Sequence, residues 1–290
     1  MKYKATLEFK ASAILGEGPV WDDVLGKLYW IDIKKQQVYR YDPGTRKIES
    51  WQLDQMVGCI IPTSNESIIC ALQDRLLELN TITGETKNFA PIEKDLPDNR
   101  SNDGKADAAG RLWIGTLNIP GENGKAGLYR VDNNGTVLKQ LDKLGMSNGL
   151  GWSPDNTKMY LIDTPERHVM QFDFSLPDGT LTNKKIVLKF NEIDGSPDGM
   201  CVDAEGMLWI AFYGGKRVGC YNPANGQLIV EVEVPAENVT CCTFGGADLD
   251  TLYITTASQG VNEEGFKKYP DTGSLFSVKT DVKGMKANRF

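Results

Sequence analysis

Short apolar runs separated by turn residues recur along the whole chain, and no stretch of ten or more positions shows clear helical apolar spacing. The runs come in related pairs. Gly16-Glu17-Gly18-Pro19-Val20-Trp21 precedes Leu28-Tyr29-Trp30-Ile31, and Ser147-Asn148-Gly149-Leu150-Gly151-Trp152 precedes Met159-Tyr160-Leu161-Ile162. Pro197-Asp198-Gly199-Met200 precedes Leu208-Trp209-Ile210, and Arg100-Ser101-Asn102-Asp103-Gly104 precedes Leu112-Trp113-Ile114. A third run follows each pair, as in Val38-Tyr39-Arg40-Tyr41 and Leu128-Tyr129-Arg130-Val131. Asp42-Pro43-Gly44, Asn133-Asn134-Gly135, Pro177-Asp178-Gly179 and Asn225-Gly226 punctuate them as hairpin turns.

The centres of the second runs fall at Tyr29, Ile68, Trp113, Tyr160, Trp209 and Tyr253, in steps of 39, 45, 47, 49 and 44 residues. Six repeats of that length, each with room for four strands, predict an all-β, six-bladed β-propeller with four-stranded antiparallel blades. One blade cannot cover both faces of its own sheet, but a ring of blades can. The ring must also close. Tyr3 to Phe9 reads as a strand without a hairpin partner, so it is expected to complete the last blade beside Leu275-Phe276-Ser277-Val278. No linker divides the chain, and residues 1–290 read as a single domain. The loops after each second strand should rise around one mouth, the longest (257 to 272) as a candidate lid, while the opposite face should carry only tight turns.

Composition narrows the function. Acids outnumber bases, 39 to 32, which disfavours nucleic acid and anionic membranes as partners. No apolar run reaches the ~18 residues that span a bilayer, and Met1 to Glu8 has no apolar signal core, so a cytoplasmic protein is expected. The six cysteines form no CxxC pair and sit in strand-like runs, which reads as buried reduced thiols. His168 is the only histidine, which excludes two-histidine metal sites and histidine dyads. It falls in a mouth loop, where a rim position without catalytic work is the simpler reading.

Each unit carries one oxygen-bearing side chain before its first strand: Glu17, Asn102, Asn148 and Asp198. Their offsets to the second-run centres are 12, 11, 12 and 11 residues, which places them at one height around the pore. Taken singly, Asn148-Gly149 and Asp198-Gly199 are ordinary turn residues. Four at one offset form an all-oxygen site suited to hard divalent cations: Ca²⁺ first, then Mg²⁺ or Mn²⁺, with Zn²⁺ tolerated.

These motifs, running from Gly16 to Val278, resemble the senescence marker protein-30/gluconolactonase/luciferin-regenerating enzyme family. The resemblance implies a six-bladed propeller that hydrolyses sugar lactones with one divalent cation. It implies Glu17, Asn148 and Asp198 as metal ligands, and Arg100 and Asn102 as substrate-binding residues. It also implies Asp198 as the catalytic base for water that attacks the lactone carbonyl at the metal, with Arg100 orienting hydroxyls or stabilising charge. For Arg100 alone, a surface ion pair is the other reading. The chain departs from the pattern after Gly115-Thr116-Leu117. Relatives carry a substrate-contacting glutamate there, whereas Asn118-Ile119-Pro120-Gly121 follows here and Glu122 is out of register. The expected partner is a small sugar lactone, and the expected assembly a monomer or weak homo-oligomer. A phosphotriesterase-type hydrolase and a non-catalytic calcium-binding propeller are the competing functions.

Overall fold

Alternating apolar positions give each repeat a sheet with two faces to bury, and the chain buries them by stacking sheets around an axis. The computed structural model describes every residue from Met1 to Phe290. It contains six sheets, the blades of a β-propeller, each built on four antiparallel strands running outward from the axis. The innermost strands of blades one to six are Gly16–Asp22, Cys59–Pro62, Asn99–Ala106, Ser147–Trp152, Ser196–Val202 and Asn238–Gly245. Inner and second strands are buried almost throughout, because neighbouring blades cover both faces. Outer strands such as Lys47–Gln52 and Thr180–Lys189 are mostly exposed. The core is therefore a set of inter-blade layers. Between blades five and six, for example, Trp209, Val218 and Val232 pack with Phe244 and Ile254.

Buried aspartates define the ends of the strands. At the turn from first to second strand, Asp107 in blade three accepts the backbone N–H groups of Ala109 and Arg111, and its other oxygen accepts the indole N–H of Trp113 at 2.8 Å. Asp203 repeats this in blade five with Glu205, Met207 and Trp209. At the opposite end, Asp32 accepts from the N–H groups of Ile14, Leu15, Lys34 and Lys35. Asp163 holds Gly145 and Met146 in the same way. These two carboxylates pin the chain as it enters the inner strands of blades one and four.

The ring closes at the N-terminus, but in two steps. Thr6–Phe9 is the outer strand of blade six, antiparallel to Leu275–Lys279. Lys2–Lys4, however, pairs in parallel with Leu228–Glu233 as a fifth strand of blade five. Tyr3 and Lys4 therefore lie in a different sheet from the one expected. The chain crosses between the sheets at buried Ala5, whose N–H bonds to the Glu233 carbonyl at 2.9 Å. A seam between two blades is thus spanned by one continuous segment.

Two further features depart from the sequence expectation. The lid segment contains a short helix, Glu263–Lys268, in an otherwise all-β chain. The Asn262 side chain caps it by accepting the Gly265 N–H, with acids in its first turn and lysines in its last. The face opposite the mouth carries more than tight turns. After the last strand, the chain crosses it as a strap. The Lys283 carbonyl accepts from the Ala204 N–H, Arg289 pairs with Asp22 and Asp23, and Phe290 exchanges backbone bonds with Pro62 and Ser64. Phe290 also packs its ring on Phe89, with centroids 5.1 Å apart, and Met285 rests on the core between blades four and five; these isolated contacts follow no repeat, which is why apolar patterning did not announce the strap.

The anchoring role of Asp32 gives a direct test. Asp32→Ala leaves four buried or half-buried N–H groups without their acceptor. The expected loss is about 3 kcal/mol or more, taking ~1–3 kcal/mol for each buried group left unsatisfied. Thermal unfolding should show a melting temperature lower by roughly 6 °C or more.

Candidate active site

The inner strands bring Asn102, Asn148 and Asp198 to the axis through a shared irregularity, while Glu17 and Arg100 sit in the ladder just before it, opposite Ile31 and Leu117. In blades one, three, four and five, two residues face one across the ladder to the second strand. The unpaired positions are Gly18-Pro19, Asn102-Asp103, Asn148-Gly149 and Asp198-Gly199. Such a bulge re-aims side chains that regular alternation would send into a blade interface. Glycine recurs there because neighbouring strands come very close. A Cβ on Gly199 would lie 2.2 Å from the Cys241 sulfur, and one on Gly149 would lie 2.6 Å from Met200.

Glu17, Asn148 and Asp198 meet at the axis. Asn148 donates its amide N–H₂ to Asp198 Oδ1 at 2.6 Å and to Thr164 Oγ1 at 3.0 Å. Thr164 in turn donates to the Pro197 carbonyl at 2.8 Å, so blade four fixes both residues. With its N–H₂ engaged, Asn148 keeps its amide oxygen without a protein donor. Glu17 accepts only the Gly18 N–H, at 2.9 Å on Oε2, and Asp198 accepts only from Asn148. Each of the three residues thus presents one oxygen that no protein donor claims.

The electrostatics point the same way. Burial raises the Glu17 carboxyl well above its ordinary value, and the charges of Asp198 and Asp103 add to the shift. Burial likewise pushes Asp198 up to about 8, against the favourable hydrogen bond from Asn148. Acids this close and sheltered from solvent are unfavourable as bare anions, and a divalent cation would relieve both the repulsion and the lost hydration. The donor set of two carboxylates and one amide fits a hard cation. No three His, Cys, Asp or Glu side chains converge at ligand spacing, so a cation held here would take the Asn148 amide oxygen beside the two carboxylates.

Arg100 is buried beside these acids and forms no ion pair, which removes the surface-pair reading. Burial lowers its pKa to about 10, with Glu17 and Asp198 pulling back upward, so it remains a cation at neutral pH. Its Nη1 donates to the Ser101 carbonyl at 2.8 Å and to Asn102 Oδ1 at 3.1 Å. The Asn102 amide also donates to the Ser147 carbonyl at 2.9 Å. Asn102 therefore bridges Arg100 to blade four.

Asp103 escaped the sequence reading. It is buried, with one oxygen on the Gly104 N–H at 2.7 Å and the other unpartnered. A signal existed. The residue after the site position is glycine in three blades (Gly18, Gly149, Gly199) and aspartate only here. Tyr213, close enough to Asp198 for that charge to raise its pKa after burial, was also missed. Its hydroxyl donates to the Gln259 carbonyl at 3.0 Å, tying the start of the lid segment to the mouth. His168 lies apart, in an outer crevice with Asp142, Asp163 and Glu166. Asn118 is spent on its own loop, donating to Asn99 and accepting from the Glu122 N–H. All six cysteines are buried and unpaired.

The family described as "SMP-30/Gluconolactonase/LRE-like region" matches residues 15–258. The chain belongs to this family. It is 37% identical over 281 residues to a Bacillus subtilis (strain 168) protein named "Putative sugar lactone lactonase YvrE", covering 97% of this chain and 96% of that one. Among solved structures it resembles a calcium-binding protein, regucalcin, from Agrobacterium tumefaciens (TM-score 0.95, 29% identity, 100% and 98% of the two chains covered). It also resembles luciferin-regenerating enzyme (TM-score 0.91, 30% identity, 98% and 99% covered). Membership of a gluconolactonase-like family agrees with the architecture above. No helix in the chain is long and apolar enough to cross a membrane.

The raised carboxyl at Asp198 has a signed consequence. Without a cation, the folded state keeps a proton that the unfolded chain has lost between about pH 4 and about pH 8. Its contribution is full below pH 4 and is lost as pH rises toward 8. In chelator, the melting temperature of the wild type should fall from pH 5 to pH 8 relative to Asp198→Asn, and saturating Ca²⁺ should remove the difference. Parallel pH profiles with and without Ca²⁺ would contradict this account of the site.

Proposed function

We propose that this protein is a divalent-cation-dependent lactonase that opens sugar lactones to hydroxy acids. The observation that carries the reading is the meeting of Glu17, Asn148 and Asp198, each with an unclaimed oxygen, beside buried Arg100. The names of the relatives support the reaction class, and the description of the bacterial regucalcin as calcium-binding supports Ca²⁺ as the first choice, with Mg²⁺, Mn²⁺ or Zn²⁺ as substitutes.

When bound, the cation supplies a Lewis acid for the carbonyl oxygen and neutralises the buried acids. The chain supplies the rest. Asp198 takes the proton from the water that attacks the carbonyl carbon. The ring C–O bond then breaks, and the proton passes to the departing alkoxide, which becomes the product hydroxyl. Arg100 orients the ring substituents or steadies the negative charge that develops, and Asn102 holds Arg100 in place. Thr164 fixes the Asn148 amide so that its oxygen faces the axis. Leu117, the cross-strand partner of Arg100, and Met146, whose sulfur lies 3.8 Å from the Asn148 amide, place apolar groups close to the site.

The test is a lactone panel on purified protein, stripped by chelator and reconstituted with single metals. Turnover should vanish in chelator and return with one divalent ion. A hundredfold excess of that ion over its Kd should stabilise the fold by about 2.7 kcal/mol. Turnover of a phosphotriester in place of lactones, or metal binding with no hydrolysis, would overturn the reading in favour of the corresponding alternative.

Two variants separate roles within the site. Asp198→Asn at confirmed metal occupancy should retain about 1% of kcat or less, since general-base contributions are typically ~10² to 10⁴-fold. Asn148→Ala should recover part of its rate as metal is raised, because an amide ligand cannot act as the base. A fully metallated Asp198→Asn running near the wild-type rate would reassign the proton acceptor.

A further inference from the structure

Asp198 reaches the axis from a bulge, and its own ladder does little to hold it. In blade five the pairing of the inner and second strands stops after Pro197 and resumes at Met200, which faces Ile210. Asp198 and Gly199, between them, have no partner across the strand. Glycine adds backbone freedom at that point. Two side chains from other blades grip the backbone on either side of the gap. On the mouth side, Thr164 of blade four donates to the Pro197 carbonyl at 2.8 Å. On the far side, Lys105 of blade three donates its ammonium to the Met200 carbonyl.

The lysine is half-buried, and its one hydrogen bond goes to a blade two places round the ring. Asp103, two residues back, accepts instead from the Gly104 N–H. Blade four stands between the two strands and presents glycine at 149 and 151, so no side chain at those positions blocks the reach. Gly149 lies so close to blade five that a Cβ there would be 2.6 Å from Met200. Lys105 also stands within the field of the acids. Burial raises the Asp103 carboxyl and the Lys105 charge pulls it back down, while Asp103 bears on Glu17 and Asp198. A positive side chain beside a cation site weakens that site through charge alone. Its presence there is accounted for by what it holds.

We propose that Lys105 is a positioning residue for the cation site: its ammonium braces the Met200 carbonyl and, with Thr164, fixes the Asp198-Gly199 bulge so that the Asp198 carboxylate stays at the axis. The inference rests on the reading of Glu17, Asn148 and Asp198 as cation ligands, and it requires no hydrolysis. Charge and bracing predict opposite signs. Removing the positive charge alone would tighten a divalent cation. Releasing the bulge loosens it, because Asp198 must then be ordered as the cation binds.

The test is calorimetric titration of chelator-stripped, full-length protein with Ca²⁺. Lys105→Met keeps the apolar stem and removes the ammonium. Its Kd for Ca²⁺ should rise about tenfold, the lower end of what loss of a hydrogen bond from a charged group brings. Lys105→Arg keeps a charged donor, and the cavity of about 300 Å³ that Lys105 lines gives the longer side chain room. It should bind Ca²⁺ close to the wild-type affinity. Melting temperatures of the stripped variants report that both are folded. A Lys105→Met protein that binds Ca²⁺ as tightly as the wild type, or more tightly, would overturn the brace. An arginine variant as weak as the methionine one would overturn it too, since the donor would then not be what matters. A wild type that binds no Ca²⁺ would overturn the cation site itself, a result told apart from the others because it needs no variant.

Discussion

Six sheets can converge on one axis only if their inner strands pass within backbone contact of one another. That closeness dictates most of what is distinctive in this chain. It excludes side chains at Gly149 and Gly199, whose missing Cβ atoms would collide with neighbouring strands. It breaks ladder pairing at one level in four blades, and so turns Asn102, Asn148 and Asp198 out of the alternation and toward the channel. It also buries Arg100, Asn148 and Asp198 beside the axis. Carboxylates that would be unremarkable on a surface are there costly as bare anions, and chemically useful once a cation is bound.

The site and its support are therefore one design. The amide of Asn148 can present an oxygen only because Thr164 and Asp198 occupy its N–H₂ group. Arg100 can stay charged while buried because Asn102 and the Ser101 carbonyl accept from it while Glu17 and Asp198 stand nearby. Asp32 and Asp163 act one layer further out, fixing the chain just before Glu17 and Asn148. Each layer is made of short-range hydrogen bonds from residues within one repeat or its neighbour, so the geometry of the centre is set locally, blade by blade.

This locality explains what the sequence revealed. The blade count was legible because all six repeats write it alike, and four of them carry an oxygen-bearing side chain at a matching offset. The departures fall where the repeat is silent. Asp103 occupies a position that holds glycine in the sister blades, and a comparison keyed to oxygen-bearing residues passed over it. The strap is held by ion pairs, single backbone bonds and isolated apolar contacts of Arg289, Phe290 and Met285 with distant blades, a pattern without periodicity. The split of the N-terminal strand at Ala5 depends on the gap between two sheets, which no local run of residues encodes. The helix at Glu263–Lys268 is too short for periodicity to show.

The seam closed by that split strand has a further meaning for how the molecule is made. Thr6 finds its partner at Ser277, so this strand is synthesised long before the strand it pairs with. At synthesis rates of ~5–20 residues per second, it waits on the order of tens of seconds as an unpaired edge. Unpaired edges recruit other chains, and charge is the usual defence. Lys2, Lys4, Glu8 and Lys10 supply it along this segment. The charges that make the N-terminus look like an unremarkable polar tail thus keep the closing strand available for its own ring during the long interval before blade six exists.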